Sequence, residues 1–328
     1  MKKICCIGSV TTDIIISPVD HLPASGTSQM VQSNTMHVGG CASNTALDLG
    51  RLGIPVLLSC KVGKDTFGDF VIAEAKKVNV DVSGVIQDAG VQTTTSVVCV
   101  NSQGERSFLY YPGSTSDLHE EDISDQVLDA CDIVFIGGAM LTTGLDGAPC
   151  KRLFDRARAK GKLTVMDAAW DFENRWMPKM REGLTDLDLF MPSYDEAMML
   201  TGEKTLDKMA DALFDCGVKQ VIIKTGEDGA YFAPSRDVRF TLPAYPGIKP
   251  VDTTGAGDAF CAGFLCGLAH GWDFKRCGQF ANAVGAFSIQ AFGASAGVPS
   301  MQEVLRFMEQ TPLERLSTSR ASLDRRPG

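Results

Sequence analysis

The stretch Asp252-Thr253-Thr254-Gly255-Ala256-Gly257-Asp258-Ala259-Phe260 sets two glycines and a carboxylate at the start of an apolar run that continues to Leu268. The run suits a buried helix, so the glycines fall at its N-terminus. A helix start carries N–H groups with no partner inside the helix, together with the positive end of the helix dipole. That end is a binding site for phosphate. Gly255, Ala256 and Gly257 build the turn into it. Asp258 stands where a base can take the proton of a hydroxyl that attacks the phosphate. The same residues also suit a plain helix cap, because Asp is a favoured capping residue and Gly a favoured turn residue.

The rest of the chain narrows the choice. Its 328 residues can bury a large core. Hydrophobic residues make up 44% and aromatic residues 8%, an ordinary balance for a globular enzyme. The formal net charge of -9 argues against a nucleic-acid partner, which would need a basic face. A local pocket can still hold an anion against the global sign. The eleven cysteines fall mostly in apolar runs and form no Cys-x-x-Cys pair. The four histidines show no metal-ligand spacing. Reduced thiols and a cytoplasmic setting follow as expectations, with no structural zinc. The apolar run after Met1-Lys2-Lys3 breaks at Thr11, Thr12 and Asp13, too early for a signal peptide. No stretch approaches the ~20 apolar residues of a membrane span, so no membrane partner is expected.

Strand-like and helix-like segments alternate. Strands are expected at 4–10, 56–62, 133–136, 163–167, 187–192 and 221–224. Helices are expected at 43–52 (with Ser43 as cap), 66–78, 150–159, 194–201, 206–216, 256–270, 274–291 and 301–309. Apolar strands alternating with helices imply an α/β fold, a doubly wound and mostly parallel sheet with helices on both faces. Two segments break the rhythm, about 14–37 and 91–113. The second reads as a hairpin turning at Asn101–Gly104. Both are expected to form one small antiparallel sheet inserted into a single domain over 1–312. A further hairpin near 234–237 should edge the main sheet, and 313–328 reads as a loose tail.

Other phosphate motifs are absent. Gly63-Lys64 lacks the flanking residues of a P-loop, and Phe260 stands where a dinucleotide fingerprint needs Gly. The second informative element is Val38-Gly39-Gly40-Cys41-Ala42-Ser43-Asn44-Thr45-Ala46, followed by Gly53 and Gly63. Glycines let a backbone approach a ligand closely, and the Asn44 amide both donates to and accepts from hydroxyls. A tight turn feeding a capped helix would read the same way.

Together these elements resemble the two signatures of the ribokinase (PfkB) family of sugar and nucleoside kinases. The first matches through Gly39, Gly40, Asn44, Ala46, Gly53 and Gly63. The second matches through Asp252, Thr253, Gly255, Ala256, Gly257, Asp258, Ala262 and Gly263. The likeness covers about residues 3–307. It implies a ribokinase-like fold in which the inserted sheet is a lid that excludes water during phosphoryl transfer. Asp258 would be the catalytic base, with Gly255, Ala256 and Gly257 at the anion hole. Asp13, Gly39, Gly40 and Asn44 would bind the sugar, with Arg106 reaching in from the lid. Ser193, Lys224, Thr225, Gly226, Gly229 and Asn282 would face ATP. Glu196 and Asp252 would serve the metal side, with Mg²⁺ as the cofactor. Some members also hold K⁺, for which Asp252, Thr254 and the 292–297 loop offer oxygens. Ser193 stands where the family usually has Asn, and Ala169 and Trp170 stand where relatives often have Asn and Arg. The acceptor would therefore differ from ribose or fructose. The resemblance further implies a homodimer paired through the lid. Two other readings stay open, a nucleoside kinase on the same scaffold and a sugar- or nucleotide-sensing protein without catalysis.

Overall fold

The computed structural model describes residues 1–313. The tail expected over 313–328 lies, from residue 314 on, outside the described residues. The chain begins β1 (Ile4–Gly8), β2 (Thr11–Ser17), β3 (Ser33–Gly39), α1 (Cys41–Arg51), β4 (Val56–Gly63), α2 (Thr66–Lys77) and β5 (Asp81–Asp88). It continues with β6 (Thr95–Val100), β7 (Arg106–Tyr111), α3 (Gly113–Ser116), α4 (Asp125–Asp129), β8 (Ile133–Ala139), α5 (Ala148–Ala159) and β9 (Leu163–Ala168). Next come α6 (Trp176–Leu184), β10 (Leu189–Phe190), α7 (Tyr194–Thr201), α8 (Leu206–Asp215), β11 (Val221–Lys224), β12 (Ala230–Ala233) and β13 (Phe240–Leu242). Helices α9 (Ala256–Ala269), α10 (Phe274–Ser288) and α11 (Met301–Gln310) close the described chain.

The main sheet has nine strands in the order β13-β12-β11-β10-β9-β8-β1-β4-β5. From β5 to β11 neighbouring strands pair in parallel. The hairpin edge β11-β12-β13 is antiparallel. Side chains alternate between the two faces, as strand geometry requires. Ile4 and Cys6 enter one core with α1, α2, α9, α10 and α11. Cys5 and Ile7 enter the other with α5, α6, α7 and α8. Because both faces are covered, the strands read as continuous apolar runs. Phe135, Phe154, Phe190, Phe232, Phe264 and Phe280 are fully buried. Each such burial is worth about 1.5–3 kcal/mol.

The second sheet has the order β3-β2-β6-β7. Its outer pairs are antiparallel, but its central pair, β2 with β6, is parallel. This corrects the expectation of a purely antiparallel lid. Both β2 and β6 leave the main sheet from parallel strands, β1 and β5, and so enter the lid in the same direction. Each then returns through its own partner. Two further departures are local. Helix α1 starts two residues early with Gly40 as its cap, so Ser43 lies within the first turn and its hydroxyl donates to Gly39 O at 2.5 Å. The edge strand β5 and helix α6 were not among the expected elements; β5 carries a mixed, partly buried pattern, whereas α6 buries Trp176, Met180, Gly183 and Leu184 at helical spacing.

Strand order reverses beside β1, with β4 and β5 on one side and β8 onward on the other. Open α/β sheets bind ligands at such a reversal, outside the carboxyl ends of the strands. Helices α1 and α9 start there.

Candidate active site

Gly255 caps α9 in the left-handed conformation, with φ 76°. A Cβ at that position would lie 2.3 Å from Ala294 O. Glycine is therefore required both by conformation and by space. The Ala256 N–H donates to Thr253 O at 3.3 Å. The N–H groups of Gly257 and Asp258 find no acceptor among the described residues. Two bare amides thus open at the positive end of α9. The Asp258 carboxylate follows in the same turn and is only 9% exposed. Burial pushes its carboxyl above the usual range, opposed by hydrogen bonding from Asn44 and by the Lys224 charge. Asn44 Nδ2 donates to Asp258 Oδ2 at 2.8 Å. This bond joins the two sequence signatures across 214 residues.

The other end of Asn44 completes a polar pocket. Its Oδ1 is buried and lacks a partner, as does the Tyr110 hydroxyl contributed by the lid. The Asp13 carboxylate lies across the Gly39 backbone, where a Cβ would approach Oδ2 to 2.1 Å. Burial alone lifts the Asp13 carboxyl to about 7. Gly40 turns the chain from β3 into α1, the helix that carries Asn44. Tyr110 stacks on Phe172 of the β9–α6 loop, with ring centroids 5.9 Å apart, and closes one side. A carboxylate, a carbonyl oxygen and a hydroxyl are thus all left without protein donors. They suit a ligand rich in hydroxyl groups.

Arg106 was expected to meet the acceptor. In the structure its guanidinium pairs with Asp252 Oδ1 at 2.7 Å and donates to Thr254 Oγ1. It therefore ties β7 to the loop that leads into α9. Asp252 also accepts from the Thr254 amide at 2.9 Å and the Gly293 amide at 3.0 Å. Burial works against its charge, but Arg106 and these amides hold its carboxyl down to about 2. Oδ1 thus takes both Arg106 and the Thr254 amide, while Oδ2 takes the Gly293 amide alone, so the residue orders the loops on either side of it.

On the expected nucleotide side, Lys224 ends β11, and a tight turn follows. Thr225 N donates to Gly229 O at 2.9 Å, and Gly229 N to Gly226 O at 3.1 Å. Ser193 and Glu196 form a capping box on α7. Glu196 N donates to Ser193 Oγ at 3.3 Å, and Ser193 N to Glu196 Oε2 at 2.7 Å. Replacement of Asn by Ser is thereby absorbed as a helix cap, and the second Glu196 oxygen has no partner among the described residues. The Asn282 amide was expected to reach the adenine side. Instead its Nδ2 donates to Leu242 O at 3.3 Å and Pro243 O at 2.9 Å. It anchors the segment leaving β13.

Two further neighbours enter the site: Asp167, the last residue of the strand expected at 163–167, and Cys41, which carried no sequence signal for a role. Asp167, at the end of β9, accepts from Lys224 Nζ at 2.7 Å. Cys41 opens α1, its amide held by Ser9 Oγ at 2.9 Å, and its thiol feels the Asp258 charge. Both come to the site through contacts remote in sequence.

The family model described as pfkB family carbohydrate kinase matches residues 1–301. The chain belongs to this family, and it is a carbohydrate kinase. A ribokinase of Staphylococcus aureus (strain COL) is 26% identical over 312 residues, covering 92% of this chain and 98% of that protein. A 2-dehydro-3-deoxygluconokinase of Bacillus subtilis (strain 168) is 30% identical over 286 residues, covering 83% and 86%. Among solved structures, Arabidopsis thaliana ribokinase complexed with ribose and ATP superposes with a TM-score of 0.82 at 23% identity, covering 94% of this chain and 99% of that one. That likeness establishes the ribokinase-like fold.

Proposed function

We propose that the protein transfers the γ-phosphoryl group of ATP to a hydroxymethyl group of a sugar or sugar acid. One observation carries this reading. The buried Asp258 carboxylate, the bare Gly257 and Asp258 amides and the unpartnered Asn44 oxygen converge at the start of α9. In the reaction the acceptor oxygen bonds to the γ-phosphorus. The bond from that phosphorus to the β–γ bridging oxygen breaks, and ADP leaves with its electron pair. The hydroxyl proton passes to Asp258. The two amides stabilise charge on the transferring group. Asp13 and Asn44 orient the acceptor hydroxyls, and the lid excludes water.

Among the described residues no three His, Cys, Asp or Glu side chains gather as a metal cage. That suits Mg²⁺, which is commonly held by substrate phosphates, waters and one or two carboxylates. The open Glu196 oxygen is the group that fits it. When bound with ATP, Mg²⁺ neutralises phosphate charge. K⁺ remains an element of the proposal only through the 292–297 loop beside Asp252. ATP use and unbridged thiols fit a cytoplasmic setting. Exposed Phe108, Leu109 and Tyr111 on the lid's edge strand β7 fit pairing with a second copy of the chain.

The test is an ADP-release screen with sugars, sugar acids and nucleosides as acceptors, with products read by ³¹P NMR. Turnover with a sugar or sugar acid supports the proposal, whereas turnover with nucleosides alone moves it to a nucleoside kinase. Ligand binding without turnover on any acceptor would make the protein a sensor.

A further inference from the structure

A buried ammonium lies beside the anion hole, and the steps above do not use it. Lys224 Nζ sits 2.7 Å from Asp167 Oδ1, with the two side chains 12% and 2% exposed. A Cβ placed on Gly257 would lie 3.2 Å from that Nζ. The ammonium therefore rests against the first turn of α9, beside the bare Gly257 amide. Its position is set by backbone as well. Lys224 N donates to Pro192 O at 2.9 Å, which fixes the end of β11 against the entry to α7. Besides Asp167, the only partner of Nζ among the described residues is Cys261 Sγ at 4.0 Å, a weak acceptor. An ammonium has three N–H donors, so donor capacity remains.

The charge around it points the same way. Asp167, Asp258 and Glu196 all act on this part of the site. Three carboxylates alone would repel a triphosphate. A fixed cation at the helix start offsets them where negative charge gathers on the transferring group.

Building on the kinase reading, we propose that Lys224 is a catalytic residue. Its ammonium donates to a non-bridging oxygen of the transferring phosphoryl group, and Asp167 is the positioning residue that holds it there. The role differs from that of the turn 225–229, which borders the donor.

The test uses the full chain. Removing Lys224 alone leaves Asp167 buried without its partner, so the first variant is the double change Lys224→Met with Asp167→Asn, which removes both charges together. Its thermal transition should stay close to wild type. Its kcat should fall about 10²–10³-fold, the scale for losing one preorganised donor, with the sugar KM changed less than about threefold. The second variant is Lys224→Ala assayed with added methylammonium or ethylammonium. Either amine should raise kcat at least about tenfold, while tetramethylammonium at equal ionic strength, lacking N–H donors, should not. A folded double variant with kcat within about threefold of wild type overturns the proposal, as does equal rescue by all three amines. Failure of the kinase reading would look different, because wild type itself would then turn over no acceptor.

Discussion

Asp13→Asn separates what the acceptor pocket costs the fold from what it does for the substrate. Burial lifts the Asp13 carboxyl from 3.8 to about 7, and no protein donor offsets it. A shift of about 3 units corresponds to ~4 kcal/mol, at 1.36 kcal/mol per unit. The side chain keeps partial access to solvent, and screening roughly halves this to ~2 kcal/mol. The folded pKa lies above the unfolded one, so folding favours the protonated acid. Stability from this group is fully present below pH 3.8 and is lost as pH rises through about 7. Asn carries no charge and escapes that loss. Urea unfolding should therefore show the variant more stable than wild type by ~2 kcal/mol at pH 8, falling to ~1 kcal/mol at pH 5 and close to zero at pH 3. The same variant should bind sugar poorly. Losing a charged acceptor shared by two hydroxyls is worth about 1.5–3 kcal/mol, or roughly a 10–100-fold rise in KM. An equal gain at all three pH values would refute burial of the charge as the cause. A stabilised variant with unchanged KM would remove Asp13 from the acceptor pocket.

Three other substitutions address the rest of the site. Asp258→Asn should retain the fold and sugar binding while kcat drops ~10²–10⁴-fold in a coupled ADP-release assay, and unchanged turnover would end its role as base. Gly255→Ala should cost about 2–4 kcal/mol in chemical unfolding, combining left-handed strain with the collision at Ala294 O, and should weaken use of ATP. Arg106→Met breaks the contact from the lid to Asp252. It should raise the sugar KM and lower kcat together by about tenfold, as expected when a closing element loses its latch, whereas wild-type values for both would show that closure does not depend on this pair.

Much of the architecture was legible in the chain because its causes are local. The apolar runs at Ile4–Gly8, Val56–Gly63 and Ile133–Ala139 lie in a sheet covered on both faces, and such strands need no alternation to be recognised. The hairpin around Asn101–Gly104 declared itself through turn residues between β-branched and aromatic runs. Helix α9 began where Gly255 and Gly257 placed it, because few other residues tolerate a left-handed cap pressed against another backbone. Helix α6 and strand β5 were harder to see. Strand β5 lies at the sheet edge with a mixed burial pattern, and the α6 stripe of Trp176, Met180, Gly183 and Leu184 is short and interrupted by Pro178.

The sequence by itself determined an α/β kinase scaffold of the pfkB family, with a glycine-capped helix start and a carboxylate in its first turn. Those features depend on residue types a few positions apart, where backbone conformation and helix dipoles act. Only the tertiary structure decided which groups face one another. It joined Asn44 to Asp258 across 214 residues and Lys224 to Asp167 across 57. It turned Asn282 onto backbone carbonyls, closed Arg106 on Asp252, and ran the central lid strands in parallel. Pairings of this kind are settled by how the sheet and helices pack as a whole, and Coulomb and hydrogen-bond energies at 2.7–2.9 Å then hold what packing has brought together.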